Sequence, residues 1–287
     1  MYLFKTVPDL QAYLRPYREK RRVIGFVPTM GALHEGHLSL VEQSLERSQC
    51  TVCSIFVNPT QFNESSDLEQ YPRHPERDLQ LLYEAGCQAV FMPEVAEIYP
   101  DGTSAGSMEQ LDFGGLDRVM EGAHRPGHFE GVAQVVKRLI DIVGPDLMFM
   151  GEKDYQQLLI VRRMVQQLEL PVEVVGCAIV READGLAMSS RNQRLNAAAR
   201  AQAPAIYQAL LQAAEAASEH SAADIRQMGT KALSDAGLEP EYFELADADT
   251  LQPVHALQEA EQVRAFAAAW AGGIRLIDNL PVKGGPA

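Results

Sequence analysis

The stretch Thr29-Met30-Gly31-Ala32-Leu33-His34-Glu35-Gly36-His37 carries most of the information about the fold of this chain. The apolar run 23–27 before it predicts a buried strand of a parallel sheet, and residues 38–45 after it have the apolar spacing of a helix. The stretch is therefore expected to join a core strand to the amino end of a helix. Free N–H groups and the positive end of the helix dipole attract phosphate at such a position.

Two histidines, His34 and His37, stand on either side of Gly36 at this helix start. Imidazoles can donate hydrogen bonds to phosphate oxygens as negative charge develops on them, and a glycine leaves room for a nucleotide near the backbone. The pattern resembles the HxGH motif of nucleotidyl-transferring α/β enzymes. The alternative interpretation is an ordinary turn that caps a helix.

A second motif lies downstream, at Met188-Ser189-Ser190-Arg191. It resembles a degenerate KMSKS loop, in which hydroxyls and a guanidinium bind the β- and γ-phosphates of ATP and stabilise departing pyrophosphate. The alternative is that Ser189 or Ser190 caps a helix and that Arg191 is solvated. Because the two motifs occur in the expected order, the nucleotide-binding interpretation is favoured.

Composition narrows the classes of protein that fit. The chain has 287 residues, of which 46% are hydrophobic, enough for one large or two ordinary domains. With a net charge of −14 it has no basic stripe, so we expect no nucleic acid as a partner. No apolar run approaches about 20 residues, so no membrane span is expected. Residues 1–7 lack the organisation of a signal peptide.

The four cysteines indicate a reducing compartment. Cys50 and Cys53 have the spacing of a metal-binding pair, but residues 51–57 predict a strand, on which positions three apart point to opposite faces. We interpret both as buried thiols that pack as small hydrophobic side chains. Because Cys87 and Cys177 are scattered along the chain, the sequence fits a cytoplasmic protein.

Strand-like and helix-like segments alternate up to about residue 176, which predicts a Rossmann-like parallel sheet with helices on both faces. In such sheets ligands bind beyond the carboxyl ends of the strands. Residues 94–127 interrupt the alternation and are interpreted as an insertion with strand-like pieces between Ser107 and Phe113. The predicted strands are 22–28, 51–57, 88–92, 146–150 and 172–176, and the predicted helices are 8–20, 37–49, 75–85, 128–143 and 154–169.

The last third of the chain has a different pattern. Residues 197–236 are rich in alanine and predict helices, with Pro204 near a helix start. Three apolar segments, 242–246, 263–270 and 274–279, then predict strands. We therefore expect a Rossmann-like catalytic domain at 1–179 and a smaller α+β domain at 180–287 that contributes the Met-Ser-Ser-Arg loop. The tail 283–287 is expected to be loose.

Further polar groups follow the predicted strands. Lys153 can hold a phosphate and Asp154 can bind ribose hydroxyls or Mg²⁺, unless the two form only an acidic helix start beside a solvated lysine. Gln61 and Gln157 can each orient a small hydroxy acid, although most glutamines are simply surface residues. The cationic segment 124–132 either assists phosphate binding or forms a turn before a helix.

Five segments together resemble the pantoate–β-alanine ligase family, whose members are also called pantothenate synthetases. These segments are 28–37, 56–62, 125–129, 151–157 and 181–192. The resemblance implies that pantoate attacks the α-phosphate of ATP to give pantoyl adenylate and pyrophosphate. The amine of β-alanine then attacks the acyl carbon, which releases AMP and pantothenate. The resemblance further implies Mg²⁺ with ATP as co-substrate, and a homodimer formed through the N-terminal domain.

The resemblance also implies roles for individual residues. Phosphate-holding catalytic roles are implied for His34, His37, Lys153, Ser189, Ser190 and Arg191, with His37 assigned as a proton donor. Pantoate is expected to contact Gln61, Gln157 and the backbone of Met30, and β-alanine is expected near Gln61. The full set of expected ATP-binding residues is Met30, Gly31, Ala32, Leu33, His34, Glu35, Gly36, His37, Gly151, Glu152, Lys153, Asp154, Val180, Met188, Ser189, Ser190 and Arg191.

Two positions depart from the family pattern. Some members have consecutive acidic residues implicated in Mg²⁺ binding, but here Arg77 precedes Asp78, which leaves Asp78 as the predicted metal ligand. Glu121 stands where a small residue such as cysteine is expected. The polar segment 63–71 is predicted to be a mobile lid that excludes water from the adenylate.

Three other functions fit parts of the sequence less well than the ligase does. A related nucleotidyltransferase would transfer AMP to a phosphate, but Gln61 and Gln157 are neutral where a phosphate would favour cations. An aminoacyl-tRNA-synthetase-like protein would need a basic RNA-binding extension, which this acidic chain lacks. A non-catalytic nucleotide-binding module would leave both histidines and the Ser-Ser-Arg loop without a role.

Overall fold

A computed structural model describes residues 1–63, 65–102 and 111–284. The chain forms two compact units, each with its own sheet. Unit 1 consists of Met1–Phe113, Arg125–Glu152 and Gln157–Ala178, and unit 2 consists of Gly114–His124, Lys153–Gln156 and Ile179–Ala287.

Unit 1 is built on a six-stranded parallel sheet with the order β1-β4-β3-β2-β5-β6. From β2 the chain adds β3 and β4 on one side and later adds β5 and β6 on the other, so the strand order reverses between β2 and β5. Ligands bind at such reversals in open α/β sheets. The strands are β1 (Tyr2–Phe4), β2 (Ile24–Thr29), β3 (Cys50–Ile55), β4 (Ala89–Phe91), β5 (Leu147–Gly151) and β6 (Glu173–Cys177).

Helices pack against this sheet, and the predicted α/β fold class is confirmed. Phe26 and Val27 are adjacent in β2, point to opposite faces, and are both fully buried. Val27 lies in one apolar cluster with Val41 of α2 and Leu82 of α4. Burial of both faces explains why the strands are continuous apolar runs. The helices are α1 (Val7–Glu19), α2 (Glu35–Arg47), α3 (Ser65–Glu69), α4 (Pro75–Glu84), α5 (Val95–Ile98), α7 (His128–Val143) and α8 (Tyr155–Gln167), with α6 in unit 2.

Unit 2 combines helices with a three-stranded antiparallel sheet in the order β7-β8-β9. Alternate alanines of β8, such as Ala265 and Ala267, are fully buried in the apolar cluster of this unit. A capping box formed by Ser221 and Asp224 caps the amino end of α11, since the side chain of each residue accepts a hydrogen bond from the backbone nitrogen of the other. The elements are α6 (Met120–His124), α9 (Ala197–Gln202), α10 (Ala205–Ala216), α11 (Ala222–Asp235), β7 (Glu239–Asp247), β8 (Val263–Ala271) and β9 (Ile274–Lys283).

Most predicted strands and helices are present, with their ends shifted by a few residues. The short strand β1 was not predicted, because three residues are too few for a periodic pattern and its place is set by pairing with β4. The strand-like pieces expected between Ser107 and Phe113 are not found in residues 111–113, and 103–110 lie outside the described residues.

The predicted lid, residues 63–71, contains the short helix α3. Glu64 of that lid and residues 285–287 of the predicted loose tail also lie outside the described residues.

Within the described ranges, no helix is both long enough and apolar enough to cross a membrane.

Candidate active site

Two segments of unit 1 follow the carboxyl ends of β2 and β3, and the end of β5 lies beside them because these three strands are adjacent in the sheet. Residues 30–37 follow β2, residues 56–61 follow β3, and β5 ends at Gly151. Because all three strands run in the same direction, segments far apart in the sequence reach one edge of the sheet.

His34 and His37 lie together at the amino end of α2. His34 is the N-cap residue, and its backbone oxygen accepts hydrogen bonds from the backbone nitrogens of His37, at 2.8 Å, and Leu38, at 3.1 Å. This turn places the two half-buried imidazole rings side by side, with 4.1 Å between their centroids. Both rings thus occupy the end of a 13-residue helix where a phosphate is favoured.

The turn before His34 is held by Asp78, which is only 1% exposed. Asp78 Oδ2 accepts a hydrogen bond from the Ala32 nitrogen at 2.8 Å, and Oδ1 accepts one from the Leu33 nitrogen at 2.7 Å. Gly31 and Ala32 both have left-handed backbone angles, with φ of 80° and 49°. A left-handed alanine is unfavourable, and two charge-assisted hydrogen bonds to one carboxylate offset that cost.

This geometry gives Asp78 a structural role that the sequence does not predict, and Mg²⁺ binding by Asp78 stays a prediction. Both of its carboxylate oxygens bind backbone N–H groups, whereas Mg²⁺ needs oxygen ligands in a near-octahedral arrangement. In the described part of the chain, no group of three or more His, Cys, Asp and Glu side chains is placed to hold a metal ion. Asp78 therefore fixes the turn that leads into His34, and a magnesium ion beside it would need most of its oxygen ligands from phosphates and water.

Gln61 and Met30, both predicted to bind pantoate, are in contact. The Gln61 Nε2 atom lies 3.2 Å from the Met30 sulfur, so the two side chains meet, whereas the prediction for Met30 concerned its backbone. Buried Asn58 orders this loop, because it donates to Gln61 Oε1 at 3.2 Å and accepts from the Tyr99 hydroxyl at 2.9 Å. The Gln61 amide is therefore held in a defined orientation.

His128 supports Gln61 from the first turn of α7. His128 Nδ1 lies 2.9 Å from the Gln61 carbonyl oxygen, and Nε2 lies 3.1 Å from the Arg125 guanidinium. Since a carbonyl only accepts and a guanidinium only donates, Nδ1 carries the proton and Nε2 accepts. Gly131 is required here, because a Cβ would come within 2.4 Å of the Thr60 oxygen. The sequence pattern of segment 124–132 fits either phosphate binding or a turn before a helix, and it does not reveal this supporting role of His128.

The neighbouring glutamines Gln156 and Gln157 differ in their surroundings. Gln156 is buried in unit 2, where its amide donates to the carbonyls of Leu116 and Val119 at 2.6 and 2.9 Å. Its Oε1 accepts from the Glu121 nitrogen at 3.1 Å. Gln157 belongs to unit 1 and is half-buried. The Gln156 side chain is thus committed to backbone groups, and pantoate binding by Gln157 stays a prediction.

Lys153 and Asp154 belong to unit 2 and form a loose pair, with 3.8 Å between Nζ and Oδ1. The Lys153 side chain is only 18% exposed, so it is not the solvated lysine of the alternative interpretation. Its backbone oxygen accepts a hydrogen bond from Asn279 Nδ2 at 3.0 Å. Gly151 and Glu152, which precede this pair, belong to unit 1.

The Met188–Arg191 loop directly follows a short hairpin of unit 2, in which Arg181 pairs with Ala187. The Met188 nitrogen donates to the Val180 oxygen at 3.0 Å, so the structure brings these two predicted ATP contacts together. Ser189 Oγ accepts from the Arg191 nitrogen at 3.3 Å and caps the short 3₁₀ helix Ser190–Arg194. The capping interpretation is therefore confirmed for Ser189. It does not exclude phosphate binding, because a hydroxyl that accepts one hydrogen bond can also donate one.

Glu121, which departs from the family pattern, forms a buried ion pair inside unit 2. Its carboxylate accepts from both Arg275 guanidinium nitrogens, at 2.8 and 2.7 Å, and from the Tyr242 hydroxyl at 2.7 Å. Burial raises the pKa of Tyr242 well above its usual value, and the negative charge of Glu121 raises it further. A small residue at 121 would leave Arg275 without this partner.

Comparison with known proteins identifies the family. The family model described as Pantoate-beta-alanine ligase matches residues 2–281.

The chain belongs to the pantoate–β-alanine ligase family.

The pantothenate synthetase of Bacteroides thetaiotaomicron is 46% identical over 284 residues, which are 99% of each protein. That of Porphyromonas gingivalis is 46% identical over 281 residues, or 98% of this chain and 99% of the relative. The family predicted from the motifs is thereby confirmed.

Solved structures of the family share the fold. Pantothenate synthetase from Thermus thermophilus superposes with a TM-score of 0.90 at 45% identity, over 99% of this chain and 100% of that one. The pantoate-beta-alanine ligase of Francisella tularensis, complexed with beta-gamma ATP and beta-alanine, gives a TM-score of 0.83 at 32% identity over the whole of both chains. The similarity therefore extends over both the sheet of unit 1 and that of unit 2.

Proposed function

We propose that this chain catalyses the ATP-dependent condensation of (R)-pantoate with β-alanine, forming pantothenate, AMP and pyrophosphate. The match of residues 2–281 to the ligase family carries this conclusion. The chemistry needs two steps, because a free carboxylate would have to expel oxide to become an amide. Adenylation replaces that leaving group with AMP and divides one difficult step into two easier ones.

In the first step, a carboxylate oxygen of pantoate attacks the α-phosphorus of ATP. The bond from the α-phosphorus to its bridging oxygen breaks, and pyrophosphate leaves. Negative charge develops on the phosphate oxygens, and in unit 1 the rings of His34 and His37 can donate hydrogen bonds to them. Stabilising this charge is the main role assigned to the two histidines, and proton donation by His37 is compatible with it.

Phosphate-binding roles in unit 2 are assigned to Lys153, Ser189, Ser190 and Arg191. A mostly buried ammonium has lost much of its hydration, and a guanidinium can bind a phosphate through two hydrogen bonds. The other ATP contacts in the proposal are Met30, Gly31, Ala32, Leu33, Glu35, Gly36, Gly151, Glu152, Asp154, Val180 and Met188.

In the second step, the amine of β-alanine attacks the acyl carbon of pantoyl adenylate. The carbon–oxygen bond to AMP breaks, the amide forms, and the nitrogen loses a proton. Gln61 and Gln157 orient pantoate, and Gln61 also lies near β-alanine in this proposal. The fixed orientation of the Gln61 amide supports this role, because such a reaction gains most from positioning.

ATP is taken up with Mg²⁺ in this proposal. Because Asp78 is committed to the backbone of residues 32 and 33, the metal is expected to arrive with the nucleotide, held by phosphate oxygens and water. No reaction step is assigned to a metal bound by the protein.

We also propose that the enzyme is a cytoplasmic homodimer, as the family resemblance implies. One chain has a mass of 31.6 kDa. Light scattering on the eluate of a gel-filtration column should therefore give twice this mass, and a single-chain mass at micromolar concentration would contradict the dimer.

An isotope experiment tests the reaction. Pantoate labelled with ¹⁸O in its carboxylate is incubated with ATP, Mg²⁺ and β-alanine, and the nucleotide product is examined by mass spectrometry. We expect AMP that carries one ¹⁸O, since the attacking oxygen stays with phosphorus when the amide forms. ADP with labelled inorganic phosphate would instead indicate an acyl phosphate and would overturn the proposal. Omitting β-alanine is the control, and only enzyme-bound pantoyl adenylate and an equal amount of pyrophosphate should then form.

A further inference from the structure

Two neighbouring residues of β9, Asp278 and Asn279, are buried polar groups outside every motif described above. They are 5% and 2% exposed. A buried carboxylate and a buried amide are costly unless all their hydrogen-bonding groups have partners. In this molecule their partners are the two segments of unit 2 that carry the proposed phosphate-binding residues.

Asn279 binds the main chain at Lys153. Its Nδ2 donates to the Lys153 oxygen at 3.0 Å, and its Oδ1 accepts from Arg264 Nη1 at 2.5 Å. The orientation of the amide is unambiguous, because a guanidinium only donates and a carbonyl only accepts. Arg264 is itself buried, and its guanidinium lies over the ring of Tyr155, 4.0 Å from the centroid. The peptide that carries Lys153 is therefore tied to β9 through a side chain with one possible orientation.

Asp278 binds the hairpin that leads into the Met188–Arg191 loop. Its two oxygens accept from the two terminal nitrogens of Arg181, at 2.6 and 3.0 Å. Arg181 also donates to the Gly185 oxygen at 3.1 Å, and its guanidinium lies 3.8 Å from the ring centroid of Tyr207. Because Arg181 pairs with Ala187 across the hairpin, fixing Arg181 fixes the strand from which the loop emerges.

The two side chains are linked to each other as well. The Asn279 backbone nitrogen donates to Asp278 Oδ1 at 2.8 Å. Burial raises the pKa of Asp278, and the positive charge of Arg181 opposes that shift. Removing one partner of such a buried ion pair lowers the stability of the fold, because the other charge stays buried without an opposite charge.

We propose that Asp278 and Asn279 are positioning residues that hold the Lys153 segment and the Arg181–Arg191 segment in their nucleotide-binding geometry. The proposal rests on the phosphate-binding roles assigned under the proposed function. Neither residue is assigned a contact with ATP. Each acts through another residue: Asn279 through the backbone of Lys153, and Asp278 through Arg181.

Asn279→Asp is the decisive variant. It keeps an acceptor for Arg264 but replaces the donor to the Lys153 oxygen with a second acceptor. Asn279→Ala removes both contacts, and Asp278→Asn removes the charge that faces Arg181. A matched control is Glu244→Gln, which weakens the Arg226–Glu244 ion pair of the same unit without touching either segment.

Nucleotide affinity is measured by calorimetry with α,β-methylene-ATP, whose α–β bridge cannot be cleaved, and thermal unfolding is measured in parallel. We expect Asn279→Asp and Asp278→Asn to bind the analogue about ten-fold more weakly than the parent, the effect of losing one or two hydrogen bonds. The KM values for pantoate and β-alanine should change by less than about two-fold in both variants. Asn279→Ala should have the same selective effect, whatever its loss of thermal stability.

Unchanged analogue affinity in Asn279→Asp, or an equal loss of affinity in Glu244→Gln, would overturn the proposal. Equal effects on all three substrates would also overturn it, because they would indicate a merely structural role. Failure of the proposed function can be distinguished from failure of this positioning role. A parent enzyme that binds the analogue but forms no pantothenate overturns the reaction, while the affinity comparison still decides the role of Asp278 and Asn279. A parent enzyme that does not bind the analogue overturns both.

Discussion

The carboxylate of Asp78 accepts a hydrogen bond from the backbone nitrogen of Leu33 at 2.7 Å, one residue before His34. Its second oxygen binds Ala32, so a side chain of α4 sets the backbone of the HxGH turn. Asp78 thus has a structural role besides the predicted metal binding, and the two roles predict different responses to Mg²⁺.

Asp78→Asn should lower activity without changing the need for Mg²⁺. An amide can accept only one of the two backbone hydrogen bonds and places an NH₂ group against the other N–H. We expect a loss of about 2–3 kcal/mol in stability and a fall in kcat of at least about ten-fold. Activity is measured against Mg²⁺ concentration at saturating ATP, with exposed Glu76→Gln of the same helix as the control. A several-fold rise in the Mg²⁺ needed for half-maximal activity would instead support Asp78 as a metal ligand.

His37→Ala should lose far more turnover than nucleotide affinity. The imidazole is proposed to act on charge that develops only in the transition state, so kcat should fall by about 10²–10³-fold while the Kd for α,β-methylene-ATP changes little. His255→Ala, at an exposed position, is the matched histidine control. Equal losses in affinity and turnover would show that His37 only binds the ground state.

Gln157→Ala should affect substrate binding and Gln156→Ala should affect stability, although the two residues are adjacent. Gln157→Ala should raise the KM for pantoate by about ten-fold with little change in the KM for ATP, as expected for a lost hydrogen bond to the acid. Gln156→Ala should lower the melting temperature, because its side chain makes hydrogen bonds with the backbone of Leu116, Val119 and Glu121 that alanine cannot make. Steady-state kinetics and thermal scans on both variants check this. An unchanged pantoate dependence in Gln157→Ala would remove that residue from the acid site.

Glu121→Ala should destabilise the chain by about 3–5 kcal/mol, because Arg275 would keep a buried charge with only Glu241 to balance it. Chemical denaturation measures the loss. Arg275→Ala in the same background is the second arm of a double-mutant cycle, and it should cost less than it does in the parent. Additive effects would show that the pair contributes no coupling.

The cysteines should resist alkylation in the folded protein. Burial raises the pKa of Cys50, Cys87 and Cys177 to about 11, and the pKa of fully buried Cys53 is raised as well. The thiolate is the reactive form, so iodoacetamide at pH 8 should leave native protein unmodified and label all four thiols in denaturant. The pKa of each thiol is higher in the folded chain than in the unfolded chain. The protonated thiols therefore contribute fully to the free energy of unfolding below about pH 8.5, and this contribution is lost as the pH rises towards 11. Rapid labelling of one thiol under native conditions would contradict the burial.

Much of unit 1 was predictable because its information is local. The run 23–27 is apolar at every position except Gly25, which requires a strand buried on both faces, and adjacent Phe26 and Val27 are indeed both buried. The HxGH turn was recognisable for a similar reason, since a strand end, a glycine and a helix start occupy a few consecutive residues. The chemistry expected there follows from the dipole of a single helix.

The supports of the candidate site were not predictable in this way. Asp78 lies 45 residues from Leu33, and His128 lies 67 residues from Gln61. Asn279 is separated from Lys153 by 126 positions. Nothing in the local pattern of either partner marks these contacts, because an aspartate near a helix start and a polar pair in a strand are common in any soluble chain.

The sequence by itself thus determined the longer strands and helices and the short motifs that can bind a nucleotide, since these depend on periodicity and on the chemistry of neighbouring residues. Only the tertiary structure decided that Asp78 binds the backbone before His34, that Glu121 pairs with Arg275, and that β9 reaches Lys153. The physical reason is that a buried polar group takes the partners that strand order and register bring to it. Those partners are set by the packing of the whole unit and leave no trace in the residues beside it.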